Sequence, residues 1–331
     1  MIVIGGGIIG LACAWRLAQK GVEVTVFDAG ATGAEASWAA AGMLAPGGEV
    51  EEDSPQARTA IASLRMYAGF VEELVDASGV EIDYRACGAL EVALTEEEAG
   101  QLTKKAELQA RMGIRSEVGA REGAVAARFY PDDAMVNPRE VTAALREVCL
   151  RWGVDIRGHE PVKEILALGR GVWTTHGRYA DDGVLLAAGA WSSRLWPGIA
   201  ESTPVRGHLI AYHERPGLLG PILRHNGTYL LQRTSGMLLA GTSTEHVGFD
   251  RTLDEGVIAD IQRRAAGLMP ELAGRVPVEQ WNGFRPGIEG GVPVIGQVEG
   301  TRVWTAFGHY RNGILLAPDT ARRVAEMVTG K

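Results

Sequence analysis

The most constraining feature of this chain is the turn Gly5-x-Gly7-x-x-Gly10, set between an apolar run and a periodic segment. Ile2–Ile4 has the apolar character of a buried strand, and Ile8–Lys20 carries apolar residues at helical spacing until Gly21 breaks the pattern. Val22–Asp28 is β-branched and strand-like. Strand, glycine turn, helix and strand within 28 residues predict a right-handed βαβ unit. In such a unit each glycine has a physical role. The first permits the tight turn, the second admits backbone to a pyrophosphate, and the third lets helix and sheet pack closely. Asp28 falls 18 residues after Gly10 at the end of the second strand, where a carboxylate accepts hydrogen bonds from ribose hydroxyls. A dinucleotide is therefore expected, and Asp28 disfavours NADP, whose extra phosphate it would repel. This motif does not separate NAD from FAD.

Further along, helices are predicted over Arg58–Ala77, Glu96–Met112 and Pro138–Trp152, with strand material over Ile82–Leu94 and a buried strand in Gly183–Gly189. Short alternating segments from Val205 to Ala240 suggest an antiparallel sheet. Val292–Ile295 and Val303–Phe307 are further strands, and Gly308–Pro318 leads into a final helix ending at Met327. The 331 residues are enough for about two domains. With strand–helix alternation at both ends and in the middle, one nucleotide domain assembled from separated pieces is expected, its insertions forming a second domain.

With 33 Lys and Arg against 41 Asp and Glu, the formal charge is −8, which excludes general nucleic-acid binding; an anionic substrate then needs local arginines. Cys13, Cys87 and Cys149 are too few and too scattered for a disulfide framework or a zinc site. The histidines show no metal spacing either, so no metal is expected. The acidic run Glu49-Val50-Glu51-Glu52-Asp53 reads as a solvated loop. No apolar stretch of about 20 residues appears, so no membrane span is expected. The apolar start lacks a basic segment before it, the first charge being Arg16, and a cytoplasmic location is expected.

Small residues dominate Gly33–Pro46, after the second strand. Trp281–Gly287 precedes a turn, and Gly308-His309-Tyr310-Arg311-Asn312-Gly313 forms a Gly-bracketed turn feeding a helix. In these blocks, in the N-terminal turn and in Ala187–Ser192, the chain resembles the D-amino-acid oxidase family of FAD enzymes over essentially its full length. Within that family its likeness is greatest to the glycine oxidases of thiamine biosynthesis.

The resemblance implies an α/β fold: a Rossmann-like FAD-binding domain plus a smaller α+β substrate domain with an antiparallel sheet. The expected FAD domain comprises 1–80, 138–203 and 282–331, and the substrate domain 81–137 and 204–281. It implies Arg285 as the main substrate-carboxylate clamp, assisted by Arg311 and the Tyr229 hydroxyl. Implied FAD contacts are Gly5, Gly7, Ile8, Ile9, Gly10 and Asp28 in the first unit, then Ser37, Ala40, Ala41, Gly42 and Met43 in the small-residue loop. Val162, Ala188, Gly189 and Trp191 follow. Arg285, His309, Arg311, Asn312, Gly313, Ile314 and Leu315 complete the set, with His309 most simply a packing residue.

The implied reaction moves a hydride from Cα of a small carboxylate-bearing amine to flavin N5, with imine hydrolysis and reoxidation by O2 to H2O2. No general base is required if the amine reacts neutral. No cysteine follows Cys149 and no histidine precedes His159, so FAD is expected to be non-covalent. Gly227 and Thr242-Ser243-Thr244 suggest room for an N-substituent such as that of sarcosine, or for a larger D-amino acid. Alternatives are a dehydrogenase passing electrons to a quinone, a plain NAD dehydrogenase, or a non-catalytic nucleotide-binding protein. The resemblance also suggests a homo-oligomer.

Overall fold

The computed structural model describes residues 1–330. Ile2, Val3 and Ile4 are all buried, as a strand covered on both faces requires. This strand sits inside a six-stranded sheet. The order is Val294–Gln297, Val303–Phe307, Val184–Leu186, Ile2–Ile4, Thr25–Phe27 and Asp155–Arg157. All pairings are parallel except that of the edge strand Val294–Gln297. Successive side chains of a strand face opposite sides. Val3, Val26, Leu185 and Ala306 accordingly pack under helices Ile8–Gln19, Pro55–Ser78, Pro138–Arg151 and Gly313–Thr329. Ile2, Ile4, Phe27, Val184 and Leu186 pack on the other face against Val162, Ile165 and Val172. Those three belong to a small antiparallel sheet, Val162–Ile165, Gly171–Thr174 and Arg178–Ala180. The third layer is thus a sheet where a doubly wound fold has helices.

The second large sheet has eight strands. Their order is Glu279–Ile288, Ser202–His213, Met237–Gly241, Thr228–Gln232, Ile222–His225, Ala89–Ala93, Ala126–Tyr130 and Glu117–Gly119. It is antiparallel as expected, save for one parallel pairing between Ile222–His225 and Ala89–Ala93. Its outer face (Ile210, Tyr212, Leu230, Leu238) packs on Ile258, Ile261 and Leu268 of helix Glu255–Leu268. The inner face presents Leu209, Tyr229, Leu231 and Trp281 toward Ala39 and Ala41 of the small-residue loop.

Element boundaries shift where the sequence is ambiguous. The second strand is limited to Thr25–Phe27, and the final helix begins at Gly313 with Pro318 inside it. Trp281–Gly287, expected to precede a turn, is instead the heart of a ten-residue strand that crosses residue 282. Among the described residues no helix is long and apolar enough to cross a membrane, and no group of three or more metal-ligating side chains is assembled.

Candidate active site

A cavity of about 690 Å³ runs between the two large sheets, from the first glycine turn to the inner face of the second sheet. At one end a Cβ on Gly10 would overlap the Gly5 carbonyl oxygen, so only glycine lets the helix start this close to the strand. Gly5 itself sits at φ +104°, and a Cβ there would overlap the Ala187 carbonyl. Ser37 Oγ accepts the Ile8 N–H at 2.9 Å, whereas the Ile9 and Gly10 N–H groups find no acceptor among the described residues. Unpaired N–H groups at the positive end of a helix dipole are a fitting seat for phosphate. Asp28 is held by two N–H donors at 2.8 Å, Gly6 to Oδ2 and Gly30 to Oδ1. Burial pushes its carboxyl above the usual range, against those hydrogen bonds. Its remaining acceptor capacity lines the cavity beside Val162.

The other end is built by the turn before the last helix. Asn312, Gly313 and Ile314 line the cavity at the helix start, and Asn312 makes no side-chain cap. This second N-terminus suits the edge of a flavin on which negative charge accumulates. His309 is buried, with Nε2 3.0 Å from Thr320 Oγ1. Burial, aided by the Arg323 charge, drives its pKa down to about 3, so it stays neutral. The facing wall is Ala40, Ala41, Gly42 and Met43, where a Cβ on Gly42 would overlap the Val136 carbonyl. The buried guanidinium of Arg233 fastens this wall, donating to the carbonyls of Val136 at 2.6 Å and of Ala41. Ala188, Gly189 and Trp191 also line the cavity. Gly10 and Leu315 do not. Gly10 serves packing, and Leu315 lies in the core with its carbonyl accepting from Ser63 Oγ at 2.7 Å.

At the inner face of the second sheet the cavity meets Arg285 and Tyr229. Arg285 Nη2 donates to Thr242 Oγ1 at 2.7 Å and Nη1 to the Ser243 carbonyl at 3.0 Å. Among the described residues it has no carboxylate partner, and burial lowers its pKa. Gly207, on the adjacent strand, leaves the space the guanidinium fills, since a Cβ there would overlap Nη1. Gly241 does the same for Tyr229, whose hydroxyl would lie 2.5 Å from its Cβ. Burial raises the pKa of that buried phenol, with Arg285 and Arg311 opposing, so it stays protonated.

Arg311 is brought to the same cavity but is not free: its Nη2 donates to Glu49 Oε1 at 3.0 Å. Glu49, expected in a solvated loop, instead lines the cavity, and Val50 beside it is buried. Lys105 and Gln109 fix this segment by donating to the carbonyls of Gly48 (3.1 Å), Gly47 (2.9 Å) and Val50 (2.8 Å). The signal available was Pro46-Gly47-Gly48, a tight turn leading straight into the acidic run. Thr242, expected only as part of a roomy pocket, lines the cavity as a partner of Arg285, and Arg224 lines it without having been anticipated. Arg224 is tied to Asp133 at 2.7 Å and Glu91 at 3.4 Å.

A phosphate-seating helix start, a strand-end carboxylate, a second helix start and an unneutralised arginine share one cavity. Together they fit a dinucleotide-dependent oxidoreductase. The chain belongs to the family of FAD-dependent oxidoreductases denoted DAO, whose pattern matches residues 1–327. It is 32% identical to the glycine oxidase of Geobacillus kaustophilus, over 99% of this chain and 92% of that protein. Identity to the glycine oxidase of Pseudomonas aeruginosa is 33%, over 100% and 95%. The crystal structure of glycine oxidase from Geobacillus kaustophilus matches with a TM-score of 0.95 at 31% identity, covering 100% of this chain and 94% of that one. The protein is an FAD-dependent amino-acid or amine oxidoreductase.

Proposed function

We propose that this protein oxidises glycine or a related small or N-substituted α-amino acid, with O2 as acceptor and H2O2 as product. Residues 1–80, 138–203 and 282–331 would chiefly hold FAD, and 81–137 and 204–281 the substrate. The observation that carries this reading is Arg285: a guanidinium with no carboxylate partner, fixed by Thr242 and Ser243 inside the cavity. A substrate carboxylate supplies the missing counter-charge, and two parallel N–H···O bonds set its orientation. The protonated Tyr229 hydroxyl is a further donor on the same wall.

FAD held here would supply the two-electron chemistry, as hydride acceptor from the substrate α-carbon and electron donor to oxygen. The Ile9 N–H, Asp28, the 40–43 wall and the Gly313 helix start would hold it. No cysteine lines the cavity among the described residues, which supports a non-covalent hold. Arg285 and Arg311 against Glu49 leave one net positive charge beside the substrate. The substrate carboxylate neutralises that charge, and an amine that reacts neutral then needs orientation and no dedicated base. Gly227 lines the cavity without a side chain, favouring space for an N-substituent. Thr242, in contrast, is committed to Arg285.

The test is a visible absorption spectrum of the purified protein, then anaerobic flavin bleaching and aerobic peroxide release with glycine, sarcosine, D-alanine and D-proline. Bleaching and stoichiometric peroxide with at least one are expected. Absence of bleaching with all of them would sink the proposal. Reduction of a dye without peroxide would move the protein to the dehydrogenases, and strict preference for glycine would discard the roomy pocket.

A further inference from the structure

Arg285 is held by the Thr242–Ser243 segment, and that segment is itself held from the reverse face of the sheet. Along Ser202–His213, Gly207 lines the cavity, so Arg206 and His208 alternate to the opposite side. His208 is fully buried there. Its backbone N–H donates to Ser243 Oγ at 2.9 Å, and its carbonyl accepts from Thr242 Oγ1 at 3.0 Å. Ser243 Oγ donates to Glu245 Oε1 at 2.6 Å. His208 Nδ1 lies 2.8 Å from the same oxygen, and its Nε2 accepts the Asp254 N–H at 3.2 Å. Since Nε2 is an acceptor, Nδ1 carries the proton and donates to Glu245. Glu245 Oε2 takes both Nε and Nη2 of Arg206, at 3.2 and 2.6 Å. A backbone bridge between Arg206 and Glu245 closes the arrangement.

Every acceptor on Glu245 is therefore engaged, and the engaged groups converge on the two residues that grip the guanidinium. A carboxylate saturated by a serine hydroxyl, an imidazole and an arginine has one geometry available to it. We propose that His208 and Glu245 are positioning residues: they fix the Thr242 hydroxyl and the Ser243 carbonyl so that Arg285 is preset for the substrate carboxylate. This rests on Arg285 being the carboxylate-binding residue. Neither side chain touches the cavity, so the pair acts through Ser243 and Thr242 alone.

The test uses the FAD-loaded enzyme and acetate, a carboxylate that cannot be oxidised at a substituted α-carbon, with binding followed by perturbation of the flavin spectrum. Glu245→Gln places an amide N–H₂ against donors on one side. Its acetate Kd and substrate KM should rise about tenfold, equivalent to about 1.4 kcal/mol, with kcat within threefold and FAD content unchanged. His208→Leu should do the same. His208→Asn, which keeps a donor at the Nδ1 position, should restore binding to within about threefold. Ser243→Ala provides the same reading if E245Q does not accumulate.

Acetate Kd within twofold of the parent in both E245Q and H208L would overturn the proposal, as would a lowered Tm with unchanged acetate affinity. Arg285→Ala separates the two readings. If R285A binds acetate like the parent, the carboxylate clamp itself is wrong. If R285A loses acetate while E245Q keeps it, only the positioning role fails.

Discussion

At the residue scale, function depends on a few charges being left unpaired and others being kept uncharged. Arg285→Lys keeps the charge but loses the fork, and it strands Thr242 and Ser243 without a donor. Loss of a charge-assisted hydrogen bond costs about 2 kcal/mol, so kcat/KM should fall roughly 30-fold, mostly in KM, as steady-state kinetics will show. His309 makes a prediction about acidity. Its pKa is ordinarily 6.5 and burial lowers it to about 3, so between those values the unfolded chain binds a proton that the native one refuses. Stability from this site is complete above pH 6.5 and declines as the pH falls toward 3. His309→Gln, which can still bond Thr320, should therefore show a flatter decline of Tm from neutral pH to about pH 4 than the parent.

Some of these residues were legible in the sequence and others were not, for physical reasons. Asp28 declares itself through its place at the end of a strand. Arg285, seen alone, is an arginine before proline among glycines, and only the likeness of the surrounding block singles it out. Glu49 looked solvated because a run of acids ordinarily is. Its pairing with Arg311 spans 262 residues, a contact that no local pattern encodes.

At the element scale, small residues decide where strands and helices can go. Strand Glu279–Ile288 was obscured by Gly283, Pro286 and Gly287, which locally suggest a turn. In the structure Pro286 lies opposite Pro204 on the neighbouring strand, and Gly283 opposite Gly207, so two irregularities share each rung. Helix Glu255–Leu268 left a usable signal: Asp254 caps it, accepting from the Gly256 and Val257 N–H groups, and Ile258, Ile261, Ala265 and Leu268 repeat at helical spacing. Arg264 on that helix bonds both Thr228 Oγ1 at 2.6 Å and the Thr242 carbonyl at 3.0 Å, linking it to the strands that bear Tyr229 and the Arg285 partners. Gly207→Ala tests the clearance between strands. The added methyl occupies the place of Arg285 Nη1, so kcat/KM should fall at least about tenfold while the flavin absorbance per protein stays unchanged. Gly10→Ala acts on the other element pair, where the methyl meets the Gly5 carbonyl. It should yield protein that retains little FAD after gel filtration.

At the scale of the whole molecule, the cavity joins parts of the chain that lie far apart in sequence. FAD binds only the assembled arrangement and so stabilises it by mass action: at 100 times Kd the gain is about 2.7 kcal/mol. For a chain of 331 residues this corresponds to a rise in Tm of roughly 4 °C over the stripped protein, measurable by thermal unfolding with and without added FAD. The tripartite central sheet also follows from the pattern of the sequence, because each piece carries its own parallel-strand signature. The third layer, a small sheet where a doubly wound fold has helices, had no such signature in its short strands.

Strand Ile2–Ile4 lies far earlier in the chain than its neighbour Val184–Leu186 and the next strand, Val303–Phe307. A nascent chain leaving the ribosome consequently spends most of its synthesis with an apolar ribbon lacking one flank. The cavity closes only when Gly313 and Ile314 of the last helix emerge. Pairing over such a separation is slow, and until it is complete the apolar ribbon is open to aggregation.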